Sequence, residues 1–126
     1  MGLVRSLRHL GYAGLLGLAL GAGRAQAHAV VVTSEPAAGA ALAAPPARLI
    51  VRFNSRIDHG RSRLTLVGPD NAQVVIEPAT GGDATVLEGP APAGAWPAGA
   101  WRVRWQVLAV DGHITRGDIP FTLRAP

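Results

Sequence analysis

Alternation of apolar and polar side chains, with no competing helical period, is what most limits the folds open to this chain. In Trp101-Arg102-Val103-Arg104-Trp105-Gln106-Val107, both tryptophans and both valines fall on one side, and Arg102, Arg104 and Gln106 on the other. Such a period of two belongs to a half-buried strand, because successive side chains point to opposite faces. Leu49, Val51 and Phe53 repeat it, as do Leu64 and Leu66 before the turn Gly68-Pro69-Asp70-Asn71. Val74 with Ile76 follows, then Val86 with Leu87; residues 29–33 form a further short apolar run. Ile119, Phe121 and Leu123 alternate with polar neighbours in a strand expected to start near Gly117. Pro120 has no N–H to give a ladder, so that strand is an edge or has its donor side free there. Beyond residue 27 no stretch sustains a 3.6-residue period. Short strands between frequent turns over about 100 residues predict an all-β body, a Greek-key sandwich or barrel of about seven strands.

The first 27 residues read differently. Arg5 and Arg8 precede an apolar run over 10–22, and Ala25-Gln26-Ala27 is an A-x-A cleavage pattern. These three parts make a secretory signal. A membrane-spanning helix needs about 20 apolar residues, and this run is shorter and glycine-rich. The expected organisation is a signal peptide over 1–27 and one soluble, exported domain over 28–126.

Charge and cysteine usage narrow the function. All 12 basic residues are arginine, against 8 acidic residues. Arg5, Arg8 and Arg24 lie in the leader, so the remaining body is close to neutral. That argues against nucleic-acid binding, which calls for a basic patch. Cysteine is absent, which excludes disulfides, thiolate metal sites and a thiol nucleophile. Arg48, Arg52, Arg102 and Arg104 read as the solvated face of half-buried strands, and Trp101 and Trp105 as core. Trp96, in an Ala/Pro-rich loop, and His59, in the polar turn Asp58-His59-Gly60, are assigned no function.

Chemistry gathers at two places. Cleavage after Ala27 makes His28 the first residue of the exported chain. A terminal histidine offers an α-amine and an imidazole on one residue, able to chelate one metal ion. On position alone, His28 is equally the residue that happens to follow the cleavage site. Asp111 and His113 flank Gly112, and in extended geometry positions two apart point to one side. On spacing alone, the same segment is an Asp-Gly turn with a histidine beside it. Combined, the two ends offer three nitrogens and one carboxylate oxygen, a tetragonal set that suits Cu(II). The sole methionine is Met1, so the exported chain has no thioether for Cu(I).

Taken together, His28 after the signal, Ser34-x-Pro36-x-x-Gly39-x-x-Leu42, the strand ending in Phe53, Gly99-x-Trp101-x-Val103-x-Trp105, Asp111-Gly112-His113, Gly117 and Phe121 resemble the periplasmic copper-resistance protein C family, CopC. The resemblance spans essentially all of 28–126. It implies a seven-stranded Greek-key fold of cupredoxin/immunoglobulin type and a Cu(II) site made by the amine and side chain of His28 with Asp111 and His113. A methionine-rich Cu(I) site found in some members has no counterpart here, which places the chain with the Cu(II)-only type. Some members carry a glutamate two residues after the strand-ending phenylalanine; this chain has Ser55. The family acts in copper tolerance or delivery, sometimes with a CopD-type membrane partner.

The expectation is therefore a periplasmic, non-enzymatic Cu(II)-binding protein. Two alternatives stand beside it. One is a small copper oxidase of the histidine-brace kind, which needs an open coordination position that Asp111 would fill. The other is a metal-free β-sandwich interaction module, which leaves His28 and Asp111-Gly112-His113 unexplained.

Overall fold

The computed structural model describes residues 28–126; the expected signal peptide over 1–27 lies outside the described residues. Among the described residues, eight strands run in chain order as β1 (Val31–Glu35), β2 (Ala41–Leu42), β3 (Arg48–Phe53), β4 (Arg63–Val67), β5 (Gln73–Ile76), β6 (Val86–Pro90), β7 (Gly99–Leu108) and β8 (Ile114–Leu123). They form a three-stranded sheet, β1-β3-β6, and a five-stranded sheet, β2-β8-β7-β4-β5. Neighbours are antiparallel except β2, whose two residues run parallel to β8. The result is a Greek-key β-sandwich. Without the two-residue β2, the strand number is the seven that the alternation predicts. No helix of the described residues is long and apolar enough to cross a membrane.

The core lies where the period-two pattern puts it. Leu49, Val51 and Phe53 from β3 face Leu64 and Leu66 from β4, Trp101, Val103, Trp105 and Val107 from β7, and Ile119, Phe121 and Leu123 from β8. All are buried, the tryptophans least completely, at 9% and 8% exposed. Burial of each large apolar side chain contributes about 1.5–3 kcal/mol against the entropy of ordering the chain. Phe53 meets Trp105 edge to face, with centroids 5.1 Å apart.

Trp105 also dictates the residue opposite it. Gly117 pairs with it across β7–β8, and a Cβ there would stand 2.7 Å from Trp105 Cζ2. A buried indole wedged against the core has little room to yield. Gly117→Ala is expected to destabilise the domain by about 1–3 kcal/mol through overpacking. Thermal unfolding of the variant checks this, and an unchanged midpoint would show that the ring moves freely.

Three local expectations resolve in physical terms. Pro120 sits inside the sheet rather than at its edge. Its carbonyl accepts from Gly39 N–H at 2.7 Å on the β2 side, and Thr122 N–H donates to Ala40 on that same side. The missing donor of Pro120 therefore points away from β7, and no β7–β8 bond is lost. Strand β8 begins at Ile114, earlier than Gly117, because its pairing with β7 continues to Leu108↔Ile114. Val74 is 43% exposed, although Ile76 on its side of the strand is 4% exposed. Strand β5 is the outer strand of the wider sheet, and three strands cannot cover five along their whole width.

Candidate metal centre

The β7–β8 hairpin turns through a short loop that gathers a carboxylate and an imidazole. Ala109 bridges to Ile57 and closes the loop by donating its N–H to the His113 carbonyl at 2.9 Å. Gly112 donates to the Ala109 carbonyl at 2.9 Å and holds φ at 87°, in the left-handed region that favours glycine. Asp111 Oδ1 accepts from His113 N–H at 3.0 Å, an Asx turn across the glycine. Its Oδ2 lies 2.8 Å from His113 Nδ1. With Nδ1–H donating to Asp111, Nε2 of His113 carries the free lone pair.

These contacts also set the charge on Asp111. The backbone N–H of His113 and then its side chain hold the Asp111 carboxyl below its usual range, with smaller help from the charges of His113 and His28. The sign is that of a depressed carboxyl. Its contribution to the loop is complete above the ordinary carboxylate range and is lost as pH falls through the lowered value. At neutral pH the loop presents an anionic oxygen.

His28 arrives from the other end of the chain. Ala29 is buried, at 4% exposed, and plugs the segment ahead of β1 into the core. Val30 N–H donates to Asn54 Oδ1 at 2.8 Å, and Asn54 N–H donates back to the Val30 carbonyl at 2.9 Å. Thr115 Oγ1 lies 3.5 Å from the Ala29 carbonyl. So held, the His28 ring stands edge to face with His113, centroids 5.1 Å apart at 74°. One ligating atom each from His28, Asp111 and His113 lie within 4.8 Å of one another. All three residues are exposed. The structure thus brings together every residue singled out from the sequence as a ligand. Two imidazoles and a carboxylate at this spacing can close on a single divalent transition ion.

Other groups stand apart from this cluster. His59 is half-buried, with Nε2 2.7 Å from the Val86 carbonyl. Trp96 packs on Trp101 at 4.8 Å and donates Nε1–H to the Pro92 carbonyl, so it extends the core. The arginines lie on solvated faces as expected: Arg104 Nε pairs with Asp118 at 3.0 Å, and Arg48 with Glu88 at 3.6 Å. Exposed pairs of this kind add little to stability. A concavity of about 520 Å³ lies on the outer face of β4, β7 and β8 among Arg63, Arg104, Arg116 and Asp118, and includes none of the three clustered residues. Ser55 leaves its hydroxyl buried with no hydrogen-bond partner among the described residues. Asn54 and Thr115 went unmarked in the sequence, where no motif or period attaches to them and their partners lie 24 and 86 residues away.

Comparison with known proteins identifies the family. The family model described as the CopC domain matches residues 31–124. Protein YobA of Escherichia coli K12 is 30% identical over 99 residues, covering 78% of this chain and 80% of that protein. Among solved structures, CopC from Methylosinus trichosporium OB3b superposes with a TM-score of 0.69 at 29% identity, covering 76% of this chain and 93% of that one. PcoC, a methionine-rich copper resistance protein from Escherichia coli, gives 0.61 at 26% identity, covering 78% and 100%. By sequence and by fold, the chain belongs to the CopC domain family.

Proposed function

We propose that this protein is an exported, periplasmic Cu(II)-binding protein that acts in copper tolerance, buffering or delivery, and that it is not an enzyme. The observation that carries the proposal is the meeting of His28, Asp111 and His113, from opposite ends of the domain, with ligating atoms within 4.8 Å. Removal of residues 1–27 as a signal peptide adds the α-amine of His28 to this set. Three nitrogens and an oxygen favour Cu(II), by geometry and by the Irving–Williams order. With no cysteine and Met1 as the only methionine, the exported chain offers no soft ligand to hold Cu(I). In this it departs from PcoC, a methionine-rich protein, while sharing that protein's fold. With Asp111 as the fourth donor, the set would leave no further ligand position for a reacting molecule, which favours a carrier over an oxidase. An exposed site also suits transfer, and a CopD-type inner-membrane copper transporter is the proposed recipient.

The test is titration of residues 28–126 with Cu(II), followed by electron paramagnetic resonance. One equivalent bound with a tetragonal nitrogen–oxygen spectrum is expected. No binding would leave a metal-free interaction module. Binding should also weaken as pH falls from neutral toward about 5, because protons compete for the imidazoles and the amine. Repeating the titration across that range checks the donor type, and a flat affinity would count against histidine ligation.

A further inference from the structure

We infer that Asn54 is a positioning residue for the metal centre, fixing where His28 stands relative to Asp111 and His113. The inference rests on the copper-binding reading above. Terminal residues ahead of a first strand are poorly held unless something ties them down. Here the β1–β3 ladder is already failing: its register shifts between Val31 and Thr33, and Phe53 is the last residue of β3. Asn54 lies just beyond that end and supplies what the strand no longer can. Its side-chain Oδ1 accepts from Val30 N–H, and its own N–H donates to the Val30 carbonyl. One residue thus closes a two-bond ring on Val30, two positions from His28.

The opposite side of the same arm faces the other sheet. Ala29 is sunk in the core and its carbonyl lies against Thr115 Oγ1 on β8, two residues beyond His113. The arm is therefore tied to the end of β3 on one side and to the start of β8 on the other. The strand that carries His113 out of its loop is also the one that touches the arm bearing His28. The 3.5 Å hydroxyl contact is long for a hydrogen bond, so most of the directional hold falls to Asn54, at 2.8 and 2.9 Å. The hydrogen bonds of Asn54 go to Val30 and not to a ligating atom. It acts on the metal through the arm, by reducing the disorder that His28 must lose when it binds.

The test uses the exported form, residues 28–126, which contains both sheets. Three forms are compared: wild type, Asn54→Ala, and Asn54→Asp, which keeps an acceptor oxygen. In the copper-free protein, amide exchange at Val30 is expected to quicken about three- to tenfold in Asn54→Ala, as for loss of one hydrogen bond, and to stay near wild type in Asn54→Asp. Cu(II) affinity, measured by competition with a chelator, should fall by a similar factor in Asn54→Ala and recover in Asn54→Asp. The decisive comparison repeats Asn54→Ala in a His28→Ala chain with one extra residue ahead of position 28, which lacks both nitrogens of the arm. If Asn54 acts through the terminus, the substitution costs nothing further there. Unchanged Val30 exchange in Asn54→Ala would overturn the inference, and so would an equal loss of affinity in both backgrounds. Wild-type protein that binds no copper, yet shows Val30 protection dependent on Asn54, would instead overturn the copper reading and the role that rests on it.

Discussion

One residue added ahead of His28 is expected to weaken Cu(II) binding by about 100-fold or more, with the fold unchanged. The reason lies in what the addition moves. On the proposed cleavage after Ala27, the amine and the imidazole belong to one residue, so binding through either presents the other at high effective concentration. The added residue carries the amine away and turns the His28 nitrogen into a peptide nitrogen, a poor donor at neutral pH. Loss of an outer-shell partner alone commonly costs about 10–100-fold in metal affinity, and a direct ligand should cost at least the upper end. A factor of 100 is about 2.7 kcal/mol. His28 is exposed and precedes β1, so the sandwich should not register the change. Matched thermal midpoints with parted affinities are the expected result. Equal affinity in both forms would remove the terminus from the ligand set.

The residues behind that prediction were not equally legible in the sequence. Trp101, Val103, Trp105 and Val107 could be assigned to the core because a strand's two faces are written directly into a period of two. Strand β5 shows where that reading stops. Val74 and Ile76 share a face, but only Ile76 is covered, since burial at a sheet's edge depends on how far the opposite sheet reaches. Asp111 and His113 were singled out on extended geometry, whereas the structure joins them by an Asx turn over a left-handed glycine, which likewise needs only neighbouring residues. Their meeting with His28 rested on family resemblance, because no local rule joins two ends of a chain. Asn54 was invisible for the same cause, its bond to Val30 being made only once β1 and β3 have paired.

The second large effect is expected from the β7–β8 loop, where two substitutions separate charge from shape. His113→Ala removes an imidazole and should weaken Cu(II) binding by about 100-fold, again beyond what an outer-shell loss costs. Its spectrum should shift toward fewer nitrogen donors. The side chain is 62% exposed, so unfolding should change within about 0.5 kcal/mol. Asp111→Asn is the finer probe. The amide oxygen can still accept from His113 N–H, so the Asx turn survives. What is lost is the anionic oxygen, whose carboxyl the hydrogen bonds from His113 hold below its usual range. Affinity should therefore fall by about tenfold or more while the copper-free loop keeps its amide protection. A loss in Asp111→Asn with protection intact assigns the carboxylate to the metal. Wild-type affinity in the same variant would assign it to the turn alone, and the donor set would shrink to the three nitrogens of His28 and His113.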